Sequence, residues 1–392
     1  MLESKDYYIG RMQYLLTTRR YIIPKHIPVK ILDGTSHKER TIIKPFYCYE
    51  QIIHHAIVIT LQPLFMRGMY EYNCGSVPGR GGMYGKRYIE KFIRENPAEI
   101  KYCVKMDIHH FFQTVSHEVL KGKLHKRIRD KDMLWLLDLI IDSYEDTPGR
   151  GIPLGYYTSQ WFANYYLQDL DHFIKEELRV KCYVRYMDDM ILFGRNKKVL
   201  HEARRRIADY LQKKLLLEMK SNWQVFRFEY TYKGKRRGRE LDFMGFLFYR
   251  KKTLIRKSIM IRACRKARQI GRKRAEGKSV SWYDAEQMLS RLAWFKYTNS
   301  YGCYVDHIKP FINVRSLKRK ISAHDRRENE IENHISNSKR ITTDPSGGDR
   351  HNLEPVYGIP PQGYKEDNRG GRTGRGDLPL AVRGGTAYTG GV

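Results

Sequence analysis

Tyr183-Val-Arg-Tyr-Met-Asp-Asp-Met-Ile-Leu-Phe-Gly194 sets two adjacent aspartates between two apolar, β-rich runs. An Asp-rich turn is ordinary by itself. Here the flanks read as strands over 182–194, which hold both carboxylates at a hairpin tip on a rigid sheet. One carboxylate beside another is electrostatically costly unless a cation neutralises them. Hard oxygen ligands of this kind suit Mg²⁺. A magnesium site for phosphoryl transfer needs a further carboxylate on a neighbouring element. Lys105-Met-Asp-Ile-His-His-Phe-Phe112 supplies it, because Asp107 stands where an apolar strand over 101–108 leaves the sheet. Two metals about 4 Å apart can then activate an attacking hydroxyl and stabilise the leaving phosphate oxygens.

The rest of the chain agrees with a phosphate-rich partner. Lys and Arg number 73 against 43 Asp and Glu, a formal charge of +30 over 392 residues. That surplus argues for nucleic acid or an anionic membrane. No run of about 18 apolar residues exists, so a spanning helix is not expected. The opening Met1-Leu-Glu-Ser-Lys-Asp lacks a secretory pattern, which leaves nucleic acid and a cytoplasmic setting. The six cysteines are widely spaced with no C-x-x-C pair, as reduced thiols would be.

Around the aspartates, the spacing predicts a β-hairpin over 22–43 turning at Asp33-Gly34, and helices over 50–70, 159–178 and 200–218. A single apolar strand is expected over 241–249. Lys251 to Arg274 then holds eleven Lys or Arg and no acid. Met288, Leu289, Leu292 and Phe295 follow at helical spacing, as the core of a small bundle would. The expected organisation is 1–250, 251–325 and a tail over 326–392. That tail is rich in Gly and Arg and too poor in apolar residues to offset its ordering entropy, so it reads as disordered.

These residues carry a resemblance to the reverse transcriptases. Tyr186-Met-Asp-Asp189 looks like their signature, Asp107-Ile-x-x-Phe-Phe112 resembles their first palm motif, and Gly151-Ile-Pro-Leu-Gly-Tyr-Tyr-Thr-Ser-Gln160 resembles the nucleotide-pocket motif. Leu241-Asp-Phe-Met-Gly245 looks like the primer-grip strand. The motifs fall in the family's order across roughly 20–320. In most members the pocket motif reads Gln-Gly-x-x-x-Ser-Pro; here it reads Leu154-Gly155-x-x-x-Ser159-Gln160. That departure, with His54-His-Ala56 and Gly79-Arg-Gly81, is similar to the enzymes of diversity-generating retroelements. Those enzymes copy a template RNA with frequent errors at adenines.

The resemblance implies an α+β right-hand polymerase with fingers and an antiparallel palm sheet over 1–250 and a helical, duplex-facing thumb over 251–325. It implies an RNA-directed DNA polymerase working with two Mg²⁺ ions, an RNA template and primer, dNTPs and a cDNA product. A small basic accessory protein is its usual partner. Asp107 and Asp188 would bind both metals, with Asp189 supporting and the Ile108 backbone completing one coordination sphere. Phe112 would exclude a ribose 2′-hydroxyl. Leu154 and Gly155 would line the pocket for the incoming base and sugar, and Arg80 would meet phosphate or template.

The chain departs from the pattern where Gln51 replaces a basic residue facing the triphosphate, leaving Lys44 or Arg40 to serve. Lys220 stands near the family's pyrophosphate-protonating lysine. No HNH-type cluster follows the thumb. Rival readings are a group II intron, retron or phage-defence reverse transcriptase, and a non-catalytic RNA-binding protein.

Overall fold

The structure, a computed structural model, describes residues 5–32 and 39–341, with side chains through residue 330. At its centre is a four-stranded antiparallel sheet in the order Cys182–Tyr186, Asp189–Gly194, Tyr102–Met106, Gln224–Arg227. The alternation along these strands sends Val104, Met106, Met190 and Leu192 into one apolar cluster, and Cys103, Val184, Ile191 and Phe193 into another. Both faces of the sheet are therefore covered, which explains why its strands read as continuous apolar runs. Met106 pairs with Met190, so the next residues outward, Asp107 and Asp189, end adjacent strands side by side.

Helices Ile52–Met66, His117–His125, Lys131–Asp142, Tyr157–Tyr166 and Lys197–Leu215 cover the first face. Helix Gly82–Glu95 and the small sheet Leu241–Phe243, Phe246–Phe248 and Thr253–Ile255 cover the second. A separate hairpin pairs Ile27–Leu32 with Glu39–Lys44; its Asp33-Gly34 turn lies outside the described residues.

Two expected elements differ. The single strand over 241–249 is a hairpin, because Met244 and Gly245 both take positive φ (51° and 84°) and reverse the chain in two residues. The Gly inside the apolar run was the available signal. The helix expected over 159–178 starts at Tyr157, breaks after Tyr166, and continues as Gln168–His172 and a wide turn over Phe173–Glu177. Among the described residues no helix is long and apolar enough to cross a membrane.

Beyond Thr253–Ile255, helices Lys257–Ala275, Trp282–Lys296 and Tyr301–His307 build a third cluster on Ile259, Ala263, Ala267, Ile270 and Met288. The stripe at Met288, Leu289, Leu292 and Phe295 is bundle core, as its spacing predicts. The basic helix is partly neutralised from inside. Asp284 accepts from Lys266 Nζ at 2.7 Å and Lys273 Nζ at 2.6 Å while closing a capping box with Ser281. The last helix, Val314–Ile341, runs past residue 326, where the tail was expected to begin. Its Arg- and Glu-rich turns at 326–330 favour helix without needing a buried face. The rest of the tail, from 342, lies outside the described residues.

Burial by itself would raise the Asp284 carboxyl, but the hydrogen bonds of Lys266 and Lys273, the charge of Lys266 and a hydrogen bond from Ser281 together outweigh it and hold the group well below the usual carboxylate range. A lowered folded pKa means stability that is present above the unfolded value and lost as pH falls through and below it. Asp284→Asn should therefore lower the melting temperature at pH 7. The difference from the parent should shrink as pH falls below about 4. Melts across pH 3–8 (on the order of the carboxylate range) check this; a pH-independent difference would assign the effect to packing.

Candidate active site

The three carboxylates meet where two strands end. Tyr186 pairs with Asp189, leaving Met187 and Asp188 as the hairpin tip. Burial, and then the neighbouring Asp107, push the Asp188 carboxyl up to about 7. Burial also raises Asp189, opposed by Lys105. Lys220 donates to Asp107 Oδ2 at 2.7 Å, and its backbone N–H donates to the Asp107 carbonyl at 2.8 Å. One oxygen from each of the three aspartates does not fall within 4.8 Å of the others. Asp107 and Asp188 thus form the close pair, with Asp189 to one side.

Ile108 is buried by its side chain and bridges Met219. The ladder bonds flank it, from His109 N–H to Glu218 O and from Lys220 N–H to Asp107 O. Its own N–H and carbonyl therefore point away from Met219.

The tip is held by groups the sequence reading passed over. Arg185 is fully buried, pairs with Asp171 at 2.5 Å, and donates to the Met187 carbonyl at 3.0 Å and Asn164 Oδ1 at 3.1 Å. Asn164 donates to the Gly75 carbonyl at 2.8 Å. A Cβ on Gly75 would lie 2.5 Å from Met187 N, so only glycine lets this loop back the tip. The available signal was a cation inside an apolar strand, which requires a buried partner.

The pocket motif is joined to the outer hairpin. Ile43 N–H donates to the Leu154 carbonyl at 2.6 Å. Gly155 has φ +119°, and a Cβ there would lie 2.1 Å from Ile43 O. The adjoining Tyr156 hydroxyl donates to buried Glu50 at 2.8 Å. His54, which burial lowers to about 4, meets Thr158 Oγ1 at 2.8 Å. His55 stacks on Tyr157 at 4.1 Å. Glu50, His54 and His55 thus fasten the helix to the pocket motif.

A cleft of about 770 Å³ brings most candidates together: Phe112, Leu154, Gly155, Asp188 and Asp189 line it. Arg40 lines it too, whereas Lys44 pairs with Ile27 at the far end of the same strand. Its opposite wall is Arg256, Ile259, Trp294 and Tyr297 from the helical unit. Arg256 also donates to Asp242 at 2.7 Å. Asp107 and Lys220 line a neighbouring cavity of about 500 Å³. Arg80 is not among the cleft's lining residues; its guanidinium donates to the Tyr70 carbonyl at 2.8 Å.

The sequence model of the family described as "Reverse transcriptase (RNA-dependent DNA polymerase)" matches residues 37–247, more than half of the chain. The chain belongs to the reverse transcriptase family. Members are nucleotidyltransferases with the right-hand fold. In that frame the four-stranded antiparallel sheet corresponds to the palm. Among solved structures, telomerase from Candida albicans in complex with a TWJ fragment of telomeric RNA is similar at 13% identity and a TM-score of 0.45. That match covers 79% of this chain and 61% of that one. Apo telomerase from Candida tropicalis, truncated from the C-terminal domain, is similar at 12% and 0.41, covering 62% and 58%. The chain spans less than two thirds of the telomerase chains it matches.

Removing one partner of a fully buried ion pair leaves an uncompensated charge, at a cost of about 3–5 kcal/mol. Arg185→Met should lose that much in urea unfolding and lose primer extension with it. Wild-type stability would mean that Asp171 finds another partner.

Proposed function

We propose that this chain copies RNA into cDNA by two-metal nucleotidyl transfer. The observation that carries the proposal is the Asp107–Asp188 pair, gathered from two strands beside a cleft walled by the pocket motif and the thumb. The donor set suits hard divalent cations: two carboxylates that resist sharing charge, a third alongside, and an Ile108 carbonyl turned away from its ladder partner. Asp107, Asp188 and Ile108 would hold Mg²⁺, with Asp189 in support. When bound, the ions supply charge neutralisation and polarise the hydroxyl and phosphate oxygens.

The chain's own groups do the rest. Lys220 fixes the Asp107 carboxylate through side chain and backbone. In this reading Phe112 meets the sugar, Leu154 and Gly155 seat the incoming nucleotide, and Arg40, not Lys44, faces its phosphates. Residues 1–250 act as fingers and palm and 251–325 as thumb. Asp188→Asn should leave RNA binding nearly intact and abolish extension, by on the order of 10³-fold or more. Near-normal extension in Mg²⁺ would overturn the assignment.

Within the family we assign the chain to the diversity-generating retroelements, with a cytoplasmic RNA template and a small basic accessory protein as expected partners. Leu154 supports this reading. An aliphatic side chain offers no hydrogen bond near the nucleotide and holds correct and incorrect pairs almost equally. A loss of about 1.4 kcal/mol of discrimination raises errors roughly tenfold. Leu154→Gln should lower misincorporation opposite template adenine by roughly a few-fold to tenfold, read by sequencing cDNA from both enzymes. A parent enzyme already as accurate at adenine as elsewhere would favour an intron or retron relative.

A further inference from the structure

Between the palm edge strand and the grip hairpin, the chain makes an excursion that the polymerase cleft does not use. Tyr230–Tyr232 and Lys235–Arg237 pair as an isolated two-stranded ribbon, turned by Lys233 at φ 47° and Gly234 at φ 71°. Residues 230–239 read Tyr-Thr-Tyr-Lys-Gly-Lys-Arg-Arg-Gly-Arg, five cations and no acid. The ribbon has no core: every residue of Lys235–Arg237 is exposed, and Tyr232 is 58% exposed. None of residues 230–237 lines the cleft around Asp188. An isolated hairpin without a buried face is marginal in water. This one is tied down at its base by Arg227 and Arg236 over the Tyr230 and Tyr249 rings.

We propose that this ribbon is a second nucleic-acid contact, which grips the phosphate backbone of a duplex outside the cleft. Successive side chains of a strand point to opposite faces, so Lys235 and Arg237 present charge on one exposed face, while Arg236 on the other lies over the Tyr249 ring. With Lys233 at the turn, Lys235 and Arg237 form one row of cations along a paired ribbon, which fits the regular, dense phosphates of a duplex better than a lone strand. Single-strand sites are built instead on successive exposed aromatic platforms, and here Tyr230 lies under Arg227, which leaves Tyr232 as the ribbon's one exposed ring. The ribbon also adjoins the site: Arg239, two residues beyond it, lines the cavity that holds Asp107, Asp189, Lys105 and Lys220, together with Glu240 and Asp242. The inference rests on the nucleic-acid reading above but concerns a different surface.

The test compares the full chain with K233Q/K235Q/R236Q/R237Q in binding a 24-base-pair RNA–DNA hybrid, an RNA duplex, a DNA duplex and an unstructured RNA strand (lengths about two turns of helix or more), at several salt concentrations. Each phosphate contact adds about 0.9 to the slope of log affinity against log salt. The variant should bind duplexes at least about tenfold more weakly near 0.15 M salt, with a slope smaller by about 2–4. Extension of a short primer at saturating template should be unchanged. Should the variant melt early, K235Q/R237Q replaces it, since those two side chains make no ion pair or ring contact among the described residues. Its expected slope change is about 1–2. Unchanged duplex affinity and slope overturn the proposal, as does an equal loss for the single strand. Ribbon-dependent duplex binding by a chain that extends no primer would sustain this inference and overturn the polymerase reading.

Discussion

Two opposite charges with no access to water, Arg185 and Asp171, hold the Met187-Asp188 tip in place. Taking both out of water is costly, and their attraction repays that only when the remaining donors and acceptors are also satisfied. Here they are: Tyr183 donates to Asp171, and Arg185 reaches Asn164 and the Met187 carbonyl. The network crosses from the helix Gln168–His172 to the strand Cys182–Tyr186 and the loop at Asn73–Gly75. It fixes a two-residue tip in which Met187 takes positive φ (55°). Carboxylates that repel one another can be kept close only by a scaffold that cannot yield, and a buried polar network supplies that rigidity.

The parts of the fold that sequence reveals are those where local chemistry and global placement agree. The strand ending at Asp107 and the strands around Met187-Asp188 are legible because apolar runs stop at acids, and a strand that stops there is pointing at something. The bundle stripe at Met288–Phe295 is legible by period. What was not legible lies in pairings between distant segments. Nothing local says that Ile43 meets Leu154, that Glu50 receives Tyr156, or that Arg185 finds Asp171. Arg80 shows the converse: a basic residue in a glycine-rich turn suggests phosphate, yet its guanidinium is engaged by a backbone carbonyl.

Charge tells a similar story at larger scale. A formal charge of +30 indicates a polyanionic partner without saying where it sits. In the helical unit beyond residue 256, Asp284 internalises part of that surplus as structure, and Arg256 is engaged by Asp242. The Tyr230–Arg237 ribbon shows the opposite case, since its cations stand on an element with no core to stabilise. Counting basic residues therefore overstates the binding surface in some places and misses its position in others.

The joint at Gly155 has a consequence for how this chain can be recombined. Ile43 and Leu154 lie far apart in sequence but share one backbone bond, at a distance that admits no side chain on residue 155. A chimera whose crossover falls between them would mate a hairpin from one parent with a pocket wall from another. Small differences in strand twist would then be felt directly at the cleft wall that Leu154 and Gly155 form. Hairpin and residues 151–160 thus behave as a single structural module, and swaps that keep both from one parent should be the ones that preserve this wall of the cleft.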